Sequence, residues 1–364
     1  MIPLRLAMVG AGWWATTVHL PAMARNPEIE LVAVCDPSAE RARTAASRFD
    51  VPRSYDDLGA LLRRESESGG LDGVVVATPH NTHHPIVAAA LEAGVHVLVE
   101  KPMTTRAADA WDLVDLAEER RRHLMVGLTY QFAPTAHRVQ QAVRDQIGEL
   151  VCVNAEFSSG TYRLFATADP TQADLDDPSV PHGTTYSDPG TGGGQGHTQL
   201  THLLGGLLYA VQDQAVEVSG YMANRGLAVD VVDALAFRLG DGALGTASST
   251  GTTPTGAPVR HQIRFHGTVG VVEWDLLRAE AWIHGAEGRS EHVENPVDQP
   301  AYHREQVSAD FARLVRNGGI NPAPADTAAA SVSLIEAGYT AARTGRSTPV
   351  VQGRLRPVEA TAQA

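Results

Sequence analysis

The chain has 364 residues, of which 43% are hydrophobic and 20% are charged. This composition predicts a folded protein, and the length favours two domains. A formal net charge of −13 disfavours nucleic acid and anionic membranes as general partners, because both are polyanions. The two cysteines lie in apolar, strand-like runs and indicate neither a disulfide framework nor a zinc cluster. Without a signal peptide or a bilayer-spanning apolar stretch, the sequence predicts a cytoplasmic protein.

Strand and helix patterns alternate over about the first 130 residues. The predicted strands are Leu4–Val9, Ile29–Cys35, Gly73–Ala77, Val95–Val99 and Leu124–Thr129. The predicted helices run from the turn at Gly10–Gly12 to Met23, from Ala39 to Phe49, from Asp56 or Asp57 to Leu62, from Pro85 to Ala93, and from Thr105 to His123. Such alternation is typical of βαβ units. Residues 1–129 are therefore predicted to form an α/β Rossmann domain with a parallel sheet.

The pattern changes at about Tyr130. The later predicted strands are Glu149–Ser158, Val216–Tyr221, Ala234–Leu239, Ala243–Thr250, His261–His266 and Val271–Asp275. The later predicted helices are Pro134–Gln146, Gln195–Tyr209, Arg304–Arg316 and Ala325–Arg343. Sequential strands with separate helices predict an α+β domain over residues 130–354 with a mainly antiparallel sheet, and residues 355–364 look like a frayed tail. A polar loop is predicted from Thr161 to Gly194, where it could form part of a substrate wall.

A glycine turn follows the first predicted strand and opens a helix. It matches the pattern G-x-G-x-x-G/A, and the residues assigned to the cofactor are Gly10, Gly12, Trp13, Trp14 and Ala15. The first glycine permits a tight turn, the second allows the backbone to approach a pyrophosphate, and the alanine permits close packing of helix on strand. The positive end of the helix would then face the phosphates.

An acidic residue, Asp36, ends the second predicted strand. In a dinucleotide-binding domain such a carboxylate accepts hydrogen bonds from the adenosine ribose hydroxyls and repels a 2′-phosphate. The sequence therefore favours NAD over NADP. Ser38 and Arg41 are further candidate cofactor contacts, and they leave NADP possible.

The turn after the third predicted strand contains Thr78, Pro79, His80 and His83. It is expected at the carboxyl edge of the sheet, where ligands bind in open α/β sheets, and these four residues are candidate cofactor contacts. Three histidines within five residues could suggest a metal site. No acidic or cysteine ligands accompany them, so no metal is predicted.

Glu100 and Lys101 end the fourth predicted strand, and Lys101 is the only lysine in the chain. Both are assigned to the cofactor, because the nicotinamide end of a dinucleotide would lie at this strand end. A lysine, unlike an arginine, can lose its proton when it is buried or placed near other cations. Lys101 is therefore a candidate for catalysis and for substrate binding. The alternative is a structural lysine in a salt bridge.

A glycine run at residues 192–194 opens a later predicted helix and could allow close backbone approach. Thr198 and His202 share one face of that helix, with Gln195 and Gln199 forming a neighbouring pair. These four residues are candidate contacts to a hydroxylated substrate, and His202 is a candidate general acid or base. The alternative is a polar helix surface. Further candidate substrate contacts are Tyr130, Tyr162, Arg163 and Tyr186.

Together these motifs resemble the Gfo/Idh/MocA oxidoreductases, the family of glucose–fructose oxidoreductase and inositol dehydrogenase. Stretches at 263–273 and 341–345 extend the likeness into the second half. The resemblance implies a second domain with a large open sheet, which often mediates homodimers or homotetramers. It also implies catalytic roles for Lys101 and His202. One position departs from the family pattern, because Thr198 stands where the family has an aspartate.

The activity that the resemblance implies is reversible oxidation of a secondary hydroxyl on a sugar, cyclitol or glycoside. In that reaction His202 would take the hydroxyl proton and Lys101 would polarise the oxygen. Two alternatives stay open at this stage. Tightly bound NAD could serve a redox-assisted glycoside cleavage or epimerisation, or the chain could be a non-catalytic dinucleotide-binding regulator.

Overall fold

The computed structural model describes residues 2–166, 185–296 and 299–356. The first of two sheets has six strands in the order β3-β2-β1-β4-β5-β6, and every neighbouring pair is parallel. Its strands are β1 (Leu4–Val9), β2 (Ile29–Cys35), β3 (Arg53–Tyr55), β4 (Gly73–Val76), β5 (His96–Val99) and β6 (Leu124–Val126). Its helices are α1 (Leu20–Arg25), α2 (Ala39–Arg48), α3 (Leu58–Glu67), α4 (His83–Glu92) and α5 (Ala107–Arg120).

The order of the strands reverses between β1 and β4. In open α/β sheets, the crevice outside the carboxyl ends of two such strands is the usual ligand site. All four residues of β4 are buried, as expected for a strand covered on both faces. The turn at Gly10 and the turn at Ala77 therefore meet at this crevice.

The second sheet has nine strands in the order β14-β13-β12-β11-β7-β10-β9-β8-β15. Only β7 and β10 pair in parallel, so the sheet is mainly antiparallel and the predicted fold class is confirmed. The strands are β7 (Leu150–Ser158), β8 (Ala215–Ala223), β9 (Val232–Leu239), β10 (Leu244–Thr250), β11 (His261–Gly267), β12 (Val271–Asp275), β13 (Glu280–His284), β14 (Ser290–Val293) and β15 (Thr348–Pro349). The remaining helices are α6 (Pro134–Asp145), α7 (Tyr162–Ala166), α8 (Thr201–Val211), α9 (Gln306–Asn317) and α10 (Ala325–Thr344).

Side chains alternate between buried and exposed along β9, β10 and β11, as a sheet covered on one face requires. The covered face packs against α6, α8 and α10. The long helix α10 also packs on α5 of the first part. Two hydrogen bonds join them: the Trp111 indole nitrogen donates to the Ser333 hydroxyl at 3.0 Å, and the Ala107 amide donates to the Glu336 carboxylate at 2.8 Å. This contact brings α8 to the carboxyl edge of the parallel sheet.

Several elements differ from the sequence-based expectations. Four short strands were not predicted, namely β3, β13, β14 and β15. The predicted loop from Thr161 begins instead with α7, and its residues 167–184 lie outside the described residues, as do tail residues 357–364. Both helices that follow glycine turns begin with a π-turn, at Ala15–His19 and at Gly196–Leu200. Across the ranges that the structure describes, no helix combines the length and apolarity that crossing a membrane needs. The domain boundaries stay a prediction.

Candidate active site

The turn after β1 leaves open space beside Gly12. Gly10 has a φ of +98°, in the left-handed region that favours glycine, and a Cβ there would lie 2.3 Å from the carbonyl oxygen of Ala77. At Gly12 a Cβ would meet no atom within 4 Å. Ala15, at the start of the π-turn, is fully buried. Helix starts bind phosphate groups, so the open space beside Gly12 fits the pyrophosphate of a dinucleotide.

Asp36, at the end of β2, is held by three neighbours. Its Oδ2 accepts a hydrogen bond from the Ala11 amide at 2.9 Å. Its Oδ1 accepts from the Ser38 amide at 2.9 Å and from the Arg41 guanidinium at 2.7 Å. The Arg41 side chain is 61% exposed. The carboxylate therefore connects the glycine turn to β2 and forms an ion pair with the solvent-exposed guanidinium of Arg41.

Glu100, at the end of β5, fixes the helix that the glycine turn opens. Its Oε1 accepts from the Trp14 indole nitrogen at 2.9 Å and lies 2.8 Å from Nε2 of His19. Burial alone would raise the pKa of Glu100, but the hydrogen bond and charge of His19, the charge of Lys101 and the bond from Trp14 lower it below its ordinary value. The Trp14 side chain thus helps to hold the Glu100 carboxylate in place. His19 was not predicted; the π-turn puts it on the same side as Trp14.

Lys101 connects the parallel sheet to the helix that carries His202. Its Nζ donates a hydrogen bond to the main-chain carbonyl oxygen of Thr198 at 2.9 Å. Burial lowers the pKa of Lys101, and the charge of Glu100 opposes that shift. The Thr198 side chain is fully buried and turns back to its own helix, donating to the Gly194 carbonyl at 2.6 Å. A backbone carbonyl therefore holds the ammonium at the position where the resemblance implies a carboxylate.

His202 is 6% exposed, and among the described residues its Nδ1 has no hydrogen-bond partner. Its ring meets two tyrosine rings edge to face, Tyr130 at 5.6 Å and Tyr302 at 6.5 Å between centroids. Burial, then the charge of Lys101, lowers the pKa of His202 well below its ordinary value. The imidazole is therefore neutral near pH 7 and can accept a proton. Tyr302 was not predicted, because nothing in its local sequence marks it.

A second buried histidine orients Tyr130. The Tyr130 hydroxyl lies 2.7 Å from Nδ1 of His261, and Nε2 of His261 lies 3.1 Å from the Ser158 carbonyl oxygen. Because a carbonyl can only accept, Nε2 carries the proton and the tyrosine hydroxyl donates to Nδ1. The His261 ring also stacks on Phe157 at 3.7 Å. Sequence reasoning missed His261, which occupies an inward position of β11.

The turn after β4 is tied to the glycine run. Nδ1 of His80 lies 2.9 Å from the Gly192 carbonyl oxygen, and its ring meets Tyr186 edge to face at 6.0 Å. His83 is fully buried, and its two ring nitrogens face the carbonyl oxygens of Pro102 and Thr78 at 2.9 and 3.0 Å. His83 therefore holds the turn in place, with no ring nitrogen facing open space. Tyr186 lies beside the predicted cofactor turn.

The glycines of the run are required by packing within the protein. A Cβ at Gly192 would lie 2.5 Å from Cγ2 of Thr105, and one at Gly193 would lie 2.5 Å from the Tyr186 carbonyl oxygen. The neighbouring Gln195 is fully buried. Its amide bonds to the Thr161 hydroxyl at 2.9 Å and the Ser249 hydroxyl at 2.7 Å. The structure therefore explains the run without a substrate, and it uses the Gln195 side chain internally.

Three other predicted contacts lie nearer the surface. Tyr162 and Arg163 are in α7, and the Tyr162 amide donates to the Gly251 carbonyl just after β10 at 2.9 Å. Gln199 is half-buried in the π-turn before α8. Much of the predicted loop between α7 and Tyr186 lies outside the described residues. The three therefore remain proposed substrate contacts.

Residues 4–128 match the family model described as "Oxidoreductase family, NAD-binding Rossmann fold" (GFO_IDH_MocA). Among curated proteins, the chain is 38% identical over 160 residues to a dTDP-3,4-didehydro-2,6-dideoxy-alpha-D-glucose 3-reductase of Streptomyces violaceoruber, covering 43% of this chain and 44% of that protein. It is 34% identical to rhizopine catabolism protein MocA of Rhizobium meliloti, covering 40% and 43%. It is 31% identical to D-glucoside 3-dehydrogenase of Escherichia coli, covering 42% and 43%. These alignments span less than half of each relative.

Solved structures share the fold over nearly the whole chain. An oxidoreductase domain protein from Kribbella flavida has a TM-score of 0.79 at 21% identity and covers 97% of this chain and 100% of that one. Levoglucosan dehydrogenase, solved with NADH and levoglucosan, has a TM-score of 0.77 at 18% identity and covers 96% and 100%. At these identities the likeness concerns the fold alone.

The charge at position 198 is expected to control the protonation of Lys101. Thr198→Asp adds a carboxylate to the turn that holds Nζ, and an opposite charge within about 4–6 Å raises a lysine pKa by about 1–3 units. Lys101 is the only lysine, so protein labelled with ¹³C,¹⁵N-lysine gives one set of lysine side-chain signals. We expect that signal to titrate at higher pH in Thr198→Asp than in the unaltered protein.

The matched control is Thr198→Asn, which has the size of the aspartate without its charge. Its lysine signal should titrate near the unaltered midpoint. Equal midpoints in the Asp and Asn variants would show that a carboxylate at position 198 does not reach Lys101.

Proposed function

Because residues 4–128 match the model of the Gfo/Idh/MocA oxidoreductase family with its NAD-binding Rossmann fold, we propose that the chain is an NAD(P)-dependent dehydrogenase of that family. It oxidises or reduces a secondary hydroxyl of a sugar, cyclitol or glycoside. One observation carries this proposal. The only lysine, at the end of β5, donates a hydrogen bond to the turn that opens the helix of His202, a buried histidine whose pKa is lowered.

The groups at this site suit proton transfer from an alcohol. His202 is neutral near pH 7, so its imidazole can accept the hydroxyl proton when the alcohol is oxidised. Lys101, as the ammonium, stabilises the negative charge that develops on the same oxygen. The burial of His202 and the partial burial of Lys101 strengthen these interactions, because water screens them less. A nicotinamide dinucleotide, when bound, supplies the hydride acceptor or donor.

The dinucleotide would be held by the open backbone at Gly12 and by Asp36. The surrounding turns would contribute Trp13, Thr78, Pro79 and His80. A hydroxylated substrate would then meet Tyr130, Tyr186 and Tyr302, whose hydroxyls stay protonated because burial raises the pKa of each. Relatives that act on sugars support this substrate class; they include D-glucoside 3-dehydrogenase and D-apiose dehydrogenase.

Two further predictions concern the environment of the protein. A homodimer or homotetramer would form through the uncovered face of the second sheet, where polar and aromatic side chains such as Arg264, Glu273 and Trp282 lie side by side. A cytoplasmic location fits an enzyme that uses a diffusible dinucleotide and a small polar substrate. Both stay predictions.

Replacement of Lys101 by Met should strongly lower kcat and leave cofactor binding intact. The ammonium is proposed to act on the reacting oxygen, so we expect kcat to fall by about 10²–10⁴-fold, the usual contribution of a positioned proton-transfer or charge-stabilising group. The assay follows reduced nicotinamide absorbance with a panel of sugars, cyclitols and glycosides, and calorimetry measures NAD binding. Arg343→Met, which removes an exposed cation from α10, is the control. Full activity of Lys101→Met would refute the proposed mechanism, and NAD binding without turnover on any compound would favour a regulator.

Arg41 should decide how well NADP is accepted. The Asp36 carboxylate favours the free ribose hydroxyls of NAD, and the neighbouring guanidinium can pair with a 2′-phosphate. A charge-assisted hydrogen bond contributes about 1.5–3 kcal/mol, so Arg41→Ala should weaken NADP about 10- to 100-fold. NAD binding should change little.

Arg43→Ala is the matched control, because Arg43 is exposed on the same helix. Fluorescence titration with both dinucleotides gives the affinities. If Arg41→Ala and Arg43→Ala weaken NADP equally, Arg41 has no specific role at the 2′ position.

A further inference from the structure

One aspartate outside the predicted site holds the first turn of the helix that carries His202. Asp230 precedes β9, and its main-chain oxygen accepts from the Gln195 amide at 3.0 Å. Its Oδ2 accepts from the Gly196 amide at 2.7 Å, and its Oδ1 accepts from the Tyr339 hydroxyl of α10 at 2.7 Å. A single residue therefore satisfies two amides at a helix start, which otherwise lack partners.

The glycines of this turn leave the space that Asp230 and its partner Tyr339 occupy. A Cβ at Gly194 would lie 2.1 Å from Oδ1 of Asp230, and a Cβ at Gly196 would lie 2.7 Å from the Tyr339 hydroxyl oxygen. Either clash would push the carboxylate or the phenol away from the turn. The absence of side chains at Gly194 and Gly196 thus permits the contact that positions the helix.

The position of this turn sets the position of the reacting groups. Thr198, whose carbonyl holds Lys101, is two residues beyond Gly196, and His202 is six residues beyond it. A shift of the anchored turn would move both groups, because a helix transmits displacement along its axis as a rigid element.

A second aspartate, Asp233, lies behind Asp230 and is 1% exposed. Among the described residues, no N–H or O–H group donates a hydrogen bond to either of its carboxylate oxygens. Burial, and then the charge of Asp230, raises the pKa of Asp233 well above its ordinary value, so Asp233 is a neutral acid.

We propose that Asp230 is a positioning residue for Lys101 and His202, acting through the Gly196 amide and the Tyr339 hydroxyl. The proposal rests on the proposed function for its kinetic consequences. Its geometric part, that Asp230 fixes the position of the helix turn, does not depend on that function. These two parts can be tested by separate measurements.

Asp230→Asn is the first test. An amide is uncharged and offers one acceptor oxygen in place of two, so the Gly196 amide keeps its acceptor only if the Tyr339 hydroxyl changes from donor to acceptor, and both contacts are weakened. We expect kcat to fall about 10- to 100-fold, as when a reacting group is displaced without being removed, while KM and NAD affinity stay close to the unaltered values. Tyr339→Phe removes one of the two contacts and should lower kcat by a smaller factor.

Asp115→Asn and Tyr221→Phe, both at exposed positions, are the matched controls and should leave kcat unchanged.

The sole lysine provides a readout that does not depend on turnover. In ¹³C,¹⁵N-lysine-labelled protein, the Lys101 signal should shift and titrate at a different pH in Asp230→Asn, because the Thr198 carbonyl that holds Nζ has moved. If the unaltered protein has no turnover and the Lys101 signal still shifts in Asp230→Asn, the positioning role is supported and the proposed function is rejected. An unaltered signal with an unaltered kcat in Asp230→Asn would overturn the positioning role. If Asp230→Asn does not fold, the same two readouts on Tyr339→Phe decide, and unaltered values there overturn it as well.

Discussion

The hydrogen bond from the Lys101 ammonium to the Thr198 carbonyl, 2.9 Å long, connects the end of a parallel strand to the first turn of a helix in the other half of the fold. It joins the place where a dinucleotide would end to the helix that carries His202. A backbone carbonyl is neutral, so it orients the ammonium without adding a charge. Burial lowers the pKa of both side chains, and the charge of Lys101 lowers that of His202 further. Their low pKa values are a consequence of this arrangement.

Two carboxylates fix the elements that this bond joins. Glu100 holds the helix after the first glycine turn, through Trp14 and His19. Asp230 holds the helix after the second glycine run, through Gly196 and Tyr339. Each carboxylate lies against a glycine, Gly127 for Glu100 and Gly194 for Asp230, where a Cβ would come within 3 Å of its oxygens. Buried carboxylates are tolerated only when donors compensate for the lost water, and both of these anchors have such donors.

The sequence was sufficient for features that depend on local pattern. The alternation of strands and helices predicts the parallel sheet, and the position of Lys101 after an apolar strand predicts its place at the sheet edge. Contacts between distant segments were not predictable, because no periodicity or spacing records which side chains meet. The partners of Glu100, the carbonyl that holds Lys101 and the Tyr130–His261 bond are of this kind. For the same reason the sequence predicts only that the glycine run allows close backbone approach, and it does not identify Thr105, Tyr186 and Asp230 as its neighbours.

A crystal structure of the protein grown with NAD tests the central claim most directly. We expect a pyrophosphate against the Gly12 backbone and a nicotinamide ring beside the Lys101 amine, on the side that faces His202. A substrate carbon could then come within about 3–3.5 Å of the ring, the separation that hydride transfer needs. A nicotinamide ring bound away from both Lys101 and the helix of His202 would contradict the account.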